Sequence, residues 1–195
     1  MKFVVLTKSA KKMNNGNFGN CVAGFNEQGE WVRLVSDMDG DSLSDSACRT
    51  FDCLDVINID ATACPIKYQQ ENMKLERLLG KIGKYTIEDV VDEYGTDSDS
   101  FCFVNNNYVL SEIERQSVDH SLLLIKAQNL KIYPDDKRIK ARFTYKKRQY
   151  ANISITDNRH KNPAEYDEAY IVVSLPSETG GYVGYYKFIA AVYPI

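Results

Sequence analysis

A segment rich in cationic and aromatic side chains carries the clearest chemical signal in the sequence. Residues 137–161 contain nine Lys and Arg against Asp157 as the single acid. Cations neutralise phosphates and exposed aromatic rings stack on unpaired bases, so this composition is typical of small barrels that bind single-stranded nucleic acid. We therefore take as candidate nucleic-acid contacts, from this segment and from one earlier strand, Arg33, Lys140, Arg142, Tyr145, Lys147, Arg148 and Arg159.

The alternation within this segment leaves a structural alternative open. Successive side chains of a strand point to opposite sides, so in RIKARFTY, residues 138–145, Arg142 shares a face with Lys140. Phe143 and Tyr145 share the other face. If those two rings fill a core, the basic side chains serve only to keep the outer face hydrated. Both interpretations stay open at the level of sequence.

Residues for metal, cofactor or covalent chemistry lack the spacing that such sites require. The run 37–41, DMDGD, resembles a calcium loop, but its glycine is at position four and Cys48 is at position twelve, where an EF-hand needs glycine at six and glutamate at twelve. The five cysteines include no C-x-x-C pair, which predicts reduced thiols without zinc. No P-loop, dinucleotide fingerprint or nucleophile elbow is present. We therefore predict no catalytic residue, no metal and no cofactor, and favour a binding module over a metal-dependent nuclease or hydrolase.

An acidic stretch in the first half supports a different function. Residues 36–60 contain seven Asp against Arg49, although the net charge of the chain is only −3. Charge segregation on this scale can steer a partner of opposite sign. The alternative to a nucleic-acid module is thus a protein-interaction or regulatory domain whose acidic region meets a basic protein.

Hydropathy argues against association with a membrane. No stretch approaches the roughly 20 apolar residues of a spanning helix. The opening MKFVVLTKSAKK has a four-residue apolar run, shorter than the core of a signal peptide. Together with the cysteine pattern, this predicts a cytoplasmic protein.

Short strands separated by turns account for most of the chain. In the first half they are predicted at 2–7, at 54–61 and in a hairpin that joins 21–25 to 30–35 through NEQG. In the second half a hairpin joins 138–145 to 150–156 around KKRQ, among further strands at 121–127, 130–133, 168–174 and 182–193. Two helices are predicted, at 72–79 and at 86–94, the second with Thr86 and Asp89 as a capping box and a stop at Gly95. GTDSDS, residues 95–100, is a candidate junction.

Several motifs in order resemble the prokaryotic dual OB-containing domain family. They are LTKSAKK, GNCVAGFNEQGEWVRLVS, LDVINIDATACPIKYQQENM, HSLLLIKA, RIKARFTYKKRQYANISITDN and VSLPSETGGYVGYYKFIAAVYPI, and they span nearly the whole chain. The resemblance implies a mainly β protein of two tandem OB-like barrels with a short helix between them, which we divide at 1–115 and 116–195. It also implies binding of nucleic acid or a nucleotide, with no established catalytic residues.

Overall fold

A computed structural model describes residues 1–13 and 16–195 as two compact units, Met1–Gly95 and Thr96–Ile195. The boundary lies earlier in the chain than the 115/116 division expected from sequence, at the start of the candidate junction. The reason is that residues after Gly95 bond to the second unit. The Leu124 amide donates to the Asp97 carboxylate (2.6 Å), and the Cys102 amide donates to the Tyr150 hydroxyl (2.9 Å).

The first unit is a barrel of five long strands. Pairing follows the order β1-β5-β6-β3-β2-β4, and an additional β1–β2 pairing closes the ring of five. Among the described pairings of this unit, β3 and β6 run parallel and the others run antiparallel. This connectivity is that of the OB fold, a five-stranded Greek-key barrel. Its elements are β1 (Lys2–Lys12), β2 (Phe18–Asn26), β3 (Trp31–Val35), β4 (Leu43–Ser44), β5 (Asp55–Ala63), β6 (Asn72–Lys84) and α1 (Ile87–Tyr94).

The second unit repeats this architecture. Five strands form a closed barrel in the order β10-β13-β11-β8-β9, with β10 and β13 parallel, and β7 and β12 pair as a separate two-stranded sheet. The prediction of a mainly β protein with two OB-like barrels is therefore confirmed. The elements are β7 (Val109–Leu110), α2 (Glu112–Gln116), β8 (Leu122–Asp135), β9 (Arg138–Tyr145), β10 (Arg148–Ile155), β11 (Ala164–Ser174), β12 (Tyr185–Tyr186) and β13 (Phe188–Pro194).

Alternating apolar side chains fill the first barrel, and α1 packs against the hairpin of β2 and β3. Phe25 lies 4.3 Å from Trp31 and 5.1 Å from Tyr94, measured between ring centroids. Trp31 is half-buried, as predicted. Complete burial of one large apolar side chain such as that of Phe25 stabilises the fold by roughly 1.5–3 kcal/mol. The fully buried core cluster comprises Phe3, Val5, Val22, Val32, Leu34, Leu43, Cys48, Phe51, Ile57 and Ile59.

The two helix predictions had different outcomes. Helix α1 begins after the Thr86 N-cap, whose capping box with Asp89 is formed, and ends at Gly95, as predicted. The helix predicted at 72–79 is wrong, because this segment belongs to β6 and pairs with β5. A β-bulge opposite Asp60 and Ala61 changes the apolar spacing from two residues to three, which resembles helical periodicity in sequence. Neither described helix is long and apolar enough to span a membrane.

Candidate nucleic-acid interface

The hairpin β9–β10 turns through two lysines. Tyr145 pairs with Arg148, so the loop consists of Lys146 and Lys147 alone, and both have positive φ values of 49° and 63°. Two-residue hairpin loops with positive φ at both positions normally contain Asn-Gly, since a left-handed conformation costs other residues roughly 1–2 kcal/mol each. Both lysine side chains are exposed. The turn therefore presents two adjacent cations on a conformation that lysine does not favour.

The outer face of β9 continues this positive charge along the barrel. Arg138 and Arg142 are exposed and Lys140 between them is half-buried, at the two-residue spacing that places side chains on one face. We call this row, with the two turn lysines, the basic ridge: Arg138, Lys140, Arg142, Lys146 and Lys147. At about 3.3 Å per residue, β9 is roughly 23 Å long from its first residue to its last.

Most cations of the basic ridge have no acidic partner. Lys140 forms an ion pair with Asp135, and this hydrogen bond raises the pKa of Lys140. In contrast, Arg142, Lys146 and Lys147 lie in no ion pair with any described residue. These three charges remain available to a ligand.

The aromatic side chains of the hairpin point into the barrel instead. Phe143 and Tyr150 stack with ring centroids 5.0 Å apart and an interplanar angle of 6°, and both are buried. Tyr145 is also buried, and its hydroxyl donates to the backbone carbonyls of Asp97 (3.0 Å) and Asp99 (2.9 Å). Burial raises the pKa of Tyr145 to about 12. The expectation that Tyr145 stacks on a base is therefore wrong, because its ring forms part of the core.

A groove lined by residues of β8, β9, β10 and β11 lies where the pairing on both sides of β9 is irregular. The register shifts between Gln128 and Lys131 on β8 and between Tyr150 and Ile153 on β10. Each bulge contains an asparagine of positive φ, which increases the local twist. The groove has a volume of about 580 Å³.

The groove has a mixed charge. Arg142 and Lys131 line it together with Glu165 and Asp167, and the buried rings of Phe143 and Tyr150 also belong to its lining. Lys131 forms an ion pair with Glu165, and this bond lowers the pKa of Glu165. Arg142 is thus the cation common to the groove and the basic ridge.

Two further arginines predicted from sequence lie near the hairpin or a neighbouring loop and have intramolecular partners. The guanidinium of Arg148 lies 4.3 Å from the ring centroid of Phe101. Arg159 donates through Nε (3.0 Å) and Nη2 (2.8 Å) to the buried carboxylate of Asp157 and lies 4.7 Å from the ring centroid of Tyr193. Arg159 therefore secures a loop, and we remove it from the candidate contacts.

Arg33 belongs to the first unit, whereas the other candidate contacts belong to the second. Its side chain is 5% exposed, and Nε donates to Glu71 (3.2 Å), whose side chain is 9% exposed. Nη1 lies 2.8 Å from the sulfur of Cys21. The prediction that Arg33 contacts nucleic acid is therefore corrected: burial leaves it no access to a strand.

Sequence reasoning missed three cations of this surface. Arg138 and Lys146 lie in the recognised basic segment, and the two-residue alternation from Arg142 would have placed Arg138 on the same face. Lys131 was not recognised because the β8 bulge changes which side chains share a face with β9. Only the register reveals that Lys131 pairs opposite Arg142.

The corresponding hairpin of the first barrel has the opposite charge. Strands β2 and β3 occupy the positions that β9 and β10 occupy in the second barrel, and their turn contains Glu27 and Glu30. Gly29, with φ of 77°, provides the left-handed residue of this turn. Accordingly, the two barrels share a connectivity but present different charges at the same turn.

The acidic stretch of the first unit is largely paired within that unit. Asp52 pairs with Lys8, Asp55 with Lys81 and Asp60 with Arg77. The Asp37 carboxylate accepts the amides of Asp39 and Asp41. Those aspartates stabilise local structure, which weakens the case for a continuous acidic docking surface.

The five cysteines are free thiols. Burial raises the pKa of Cys48 to about 11 and that of Cys102 to about 12. Across the described ranges, no three His, Cys, Asp or Glu side chains gather as a metal site.

Comparison with known proteins gives distant structural matches and one family. A murine DNA-binding protein, solved with double-stranded DNA, matches at TM-score 0.42 and 10% identity, over 100% of this chain and 95% of that one. The p204 HINb domain matches at TM-score 0.36 and 11% identity, over 97% and 95%. No curated protein sequence matches the chain. The family model of the dual OB-containing domain matches residues 1–192, and the chain therefore belongs to that family.

Proposed function

We propose that the second barrel binds single-stranded nucleic acid along the basic ridge. The observation that carries this proposal is the row of outward cations on β9, which continues through Lys146 and Lys147 at the hairpin turn. Strands β9 and β10 are the second and third strands of the barrel, and OB barrels use this face to hold oligonucleotides. Phosphates would contact Arg138, Arg142 and the turn lysines.

The backbone of the turn adds support. A strained conformation persists when the surrounding structure imposes it, and strain of this kind concentrates at functional sites. Both residues of the turn are lysines, although glycine or asparagine would adopt the left-handed conformation at a lower cost in free energy. A requirement for positive charge at the tip explains this choice of residue.

Binding of a nucleotide is the second candidate, favoured by the groove. Its volume of about 580 Å³ falls within the roughly 300–1,000 Å³ of small-molecule sites. Arg142 would contact the phosphate, and Glu165 and Asp167 would accept hydrogen bonds from base amino groups. A nucleotide and a short strand would compete for the groove. The affinity for the nucleotide would not depend on Lys147 at the tip of the hairpin.

Charge reversal on the basic ridge tests the proposed function. The probe is a fluorescein-labelled oligothymidylate of roughly 16 nucleotides, the upper site size of one OB barrel. Arg142→Glu with Lys147→Glu should weaken binding about tenfold or more at low salt, since lost phosphate contacts also remove the release of counterions. Anisotropy titrations measure the affinity.

A matched control separates the basic ridge from net charge. Arg49→Glu with Lys84→Glu makes the same change in net charge at two exposed residues of the first unit. We expect this control to bind the strand within about twofold of wild type at the same salt concentration, because neither residue belongs to the basic ridge. Equal weakening by both pairs would contradict a site on β9.

A further inference from the structure

A second exposed surface of the second unit is aromatic. Tyr182 is 54% exposed and Tyr108 is 40% exposed, and Tyr186 is half-buried between them. The ring centroids of Tyr108 and Tyr186 are 5.7 Å apart, and those of Tyr182 and Tyr186 are 5.4 Å apart. We call Tyr108, Tyr182 and Tyr186 the tyrosine cluster.

The small sheet β7–β12 holds the tyrosine cluster in place. Tyr186 pairs with Val109, beside Tyr108, and the Lys187 amide donates to the Tyr108 carbonyl (2.9 Å). Gly184 permits this approach, because a β carbon there would lie 2.5 Å from the Leu110 carbonyl oxygen. The rings are therefore presented by a hydrogen-bonded framework.

A buried lysine secures this framework to the rest of the second unit. Lys187 is 1% exposed, and its Nζ donates to the backbone carbonyl (2.7 Å) and the side-chain oxygen (2.9 Å) of Asn105. Tyr185, next to the cluster, points inward and its hydroxyl donates to Glu112 (2.5 Å). Inward and outward tyrosines alternate along β12, so Tyr186 is held facing outward.

The tyrosine cluster is continuous with the basic ridge through Arg138. The guanidinium of Arg138 lies 6.0 Å from the ring centroid of Tyr182, and Nη2 donates to the Tyr182 hydroxyl (3.2 Å). Arg138 is the first residue of β9 and the turn lysines follow its last residue, so the aromatic surface lies at the end of the ridge opposite the tip. Cations that hold phosphates thus adjoin rings of the kind on which bases stack.

We propose that the tyrosine cluster stacks unpaired bases of the strand whose phosphates the basic ridge holds. This inference rests on the proposed function and adds recognition of the bases: the surface requires a strand with free base faces, rather than a duplex or a bare polyanion. Continuity with Arg138 favours a nucleic-acid occupant over an apolar protein segment, which would leave the adjacent positive charge unmatched. Tyr182, as the most exposed ring, contributes most of the stacking.

Two probes with equal phosphates separate stacking from electrostatics. One is an oligothymidylate and the other is an abasic strand of the same length. Wild-type protein should bind the abasic strand more weakly. Tyr182→Leu should weaken binding of the oligothymidylate about 5- to 150-fold, the range of one base–aromatic stack, and should weaken binding of the abasic strand far less, since that strand has no base to stack.

Two further variants and a melting measurement test whether the loss of affinity comes from the Tyr182 ring itself. Tyr182→Phe should restore most of the affinity lost in Tyr182→Leu, since the ring provides the stacking face. Tyr68→Leu, at a half-buried tyrosine of the first unit, should not affect either probe. Thermal melting should stay close to wild type for Tyr182→Leu, because this residue is 54% exposed and its contacts are at the surface.

The outcomes distinguish the two proposals. Salt-sensitive binding of both probes with equal affinity, or equal weakening of both by Tyr182→Leu, would overturn stacking and leave the basic ridge in place. Absence of binding to either probe would overturn the proposed function and stacking together. A preference of wild-type protein for duplex DNA over oligothymidylate would likewise contradict a site for unpaired bases.

Discussion

Lys146 and Lys147 are consecutive residues that both adopt the left-handed conformation, and they alone connect β9 to β10. The hairpin retains two adjacent exposed charges where asparagine and glycine would be more stable. In the first barrel the corresponding strands, β2 and β3, are joined by a longer turn that contains Gly29 and two glutamates. The two turns therefore differ in charge although the barrels have the same connectivity, so the connectivity does not determine this charge.

Replacement of the turn should separate stability from binding. Lys146→Asn with Lys147→Gly should increase the free energy of unfolding by about 1 kcal/mol, because relief of the left-handed strain exceeds the entropy that glycine adds to the unfolded chain. The same variant should bind oligothymidylate more weakly. Urea denaturation and anisotropy measure the two effects.

The control for this variant keeps the strain and removes the charge. Lys146→Gln with Lys147→Gln should have wild-type stability and the same loss of affinity. A variant with Asn-Gly that is less stable than wild type would contradict the description of the turn. Retained affinity in both variants would remove the turn lysines from the site.

Tyr145 should affect stability rather than binding. Tyr145→Phe removes the donor to the carbonyls of Asp97 and Asp99, at a cost of about 1–2 kcal/mol in the free energy of unfolding. Tyr145→Ala should cost roughly 3–5 kcal/mol through the cavity that it leaves. Titrations of the folded Tyr145→Phe protein should give wild-type affinity for the strand. Weaker binding at unchanged melting temperature would show instead that this ring reaches the ligand.

Arg33 should likewise be structural. Arg33→Ala removes a cation that is 5% exposed and forms an ion pair with Glu71, and removal of one partner of a buried pair typically costs about 3–5 kcal/mol. Arg33→Met with Glu71→Gln should recover much of that loss, because it removes both charges together. Chemical denaturation of the two variants should show that the double variant is the more stable. An Arg33→Ala protein as stable as wild type would contradict the buried ion pair.

Asp157 should make the second barrel sensitive to acid. Burial alone would raise the pKa of the Asp157 carboxyl, but hydrogen bonds from His160 and Arg159 outweigh burial and hold its pKa far below the ordinary 3.8. Because the folded chain has the lower pKa, this stabilisation is fully present above about pH 4 and is lost as the pH falls further.

Asp157→Asn tests this linkage. At neutral pH the substitution should cost roughly 2 kcal/mol, the scale of hydrogen bonds to a charged group. The difference from wild type should shrink as the pH falls below the ordinary pKa of aspartate, since wild type then loses the same interaction. The midpoints of urea denaturation of the two proteins at several pH values measure this difference in stability. A difference that stays constant down to pH 2 would contradict the account.

Predictions from sequence succeeded where one local pattern determined the structure. The capping box at Thr86 and Asp89 and the alternation in 138–145 identified α1 and β9, because caps and strand periodicity depend on neighbouring residues. The segment 72–79 misled because a bulge imitates helical spacing. Burial of Arg33 depends on Glu71, 38 residues away, and the tyrosine cluster depends on pairing between β7 and β12. Such contacts are fixed by the tertiary fold and leave no local pattern.

The salt dependence of strand binding tests the central claim most directly. Contacts between the basic ridge and about three to five phosphates predict a slope of log K against log salt of roughly −2 to −3.5, at −0.7 per phosphate of a single strand. Arg142→Glu should make this slope shallower by about 0.7 or more. If wild-type protein shows no salt-sensitive binding to any oligonucleotide at low ionic strength, or if Arg142→Glu leaves both affinity and slope unchanged, the second barrel does not bind nucleic acid through β9.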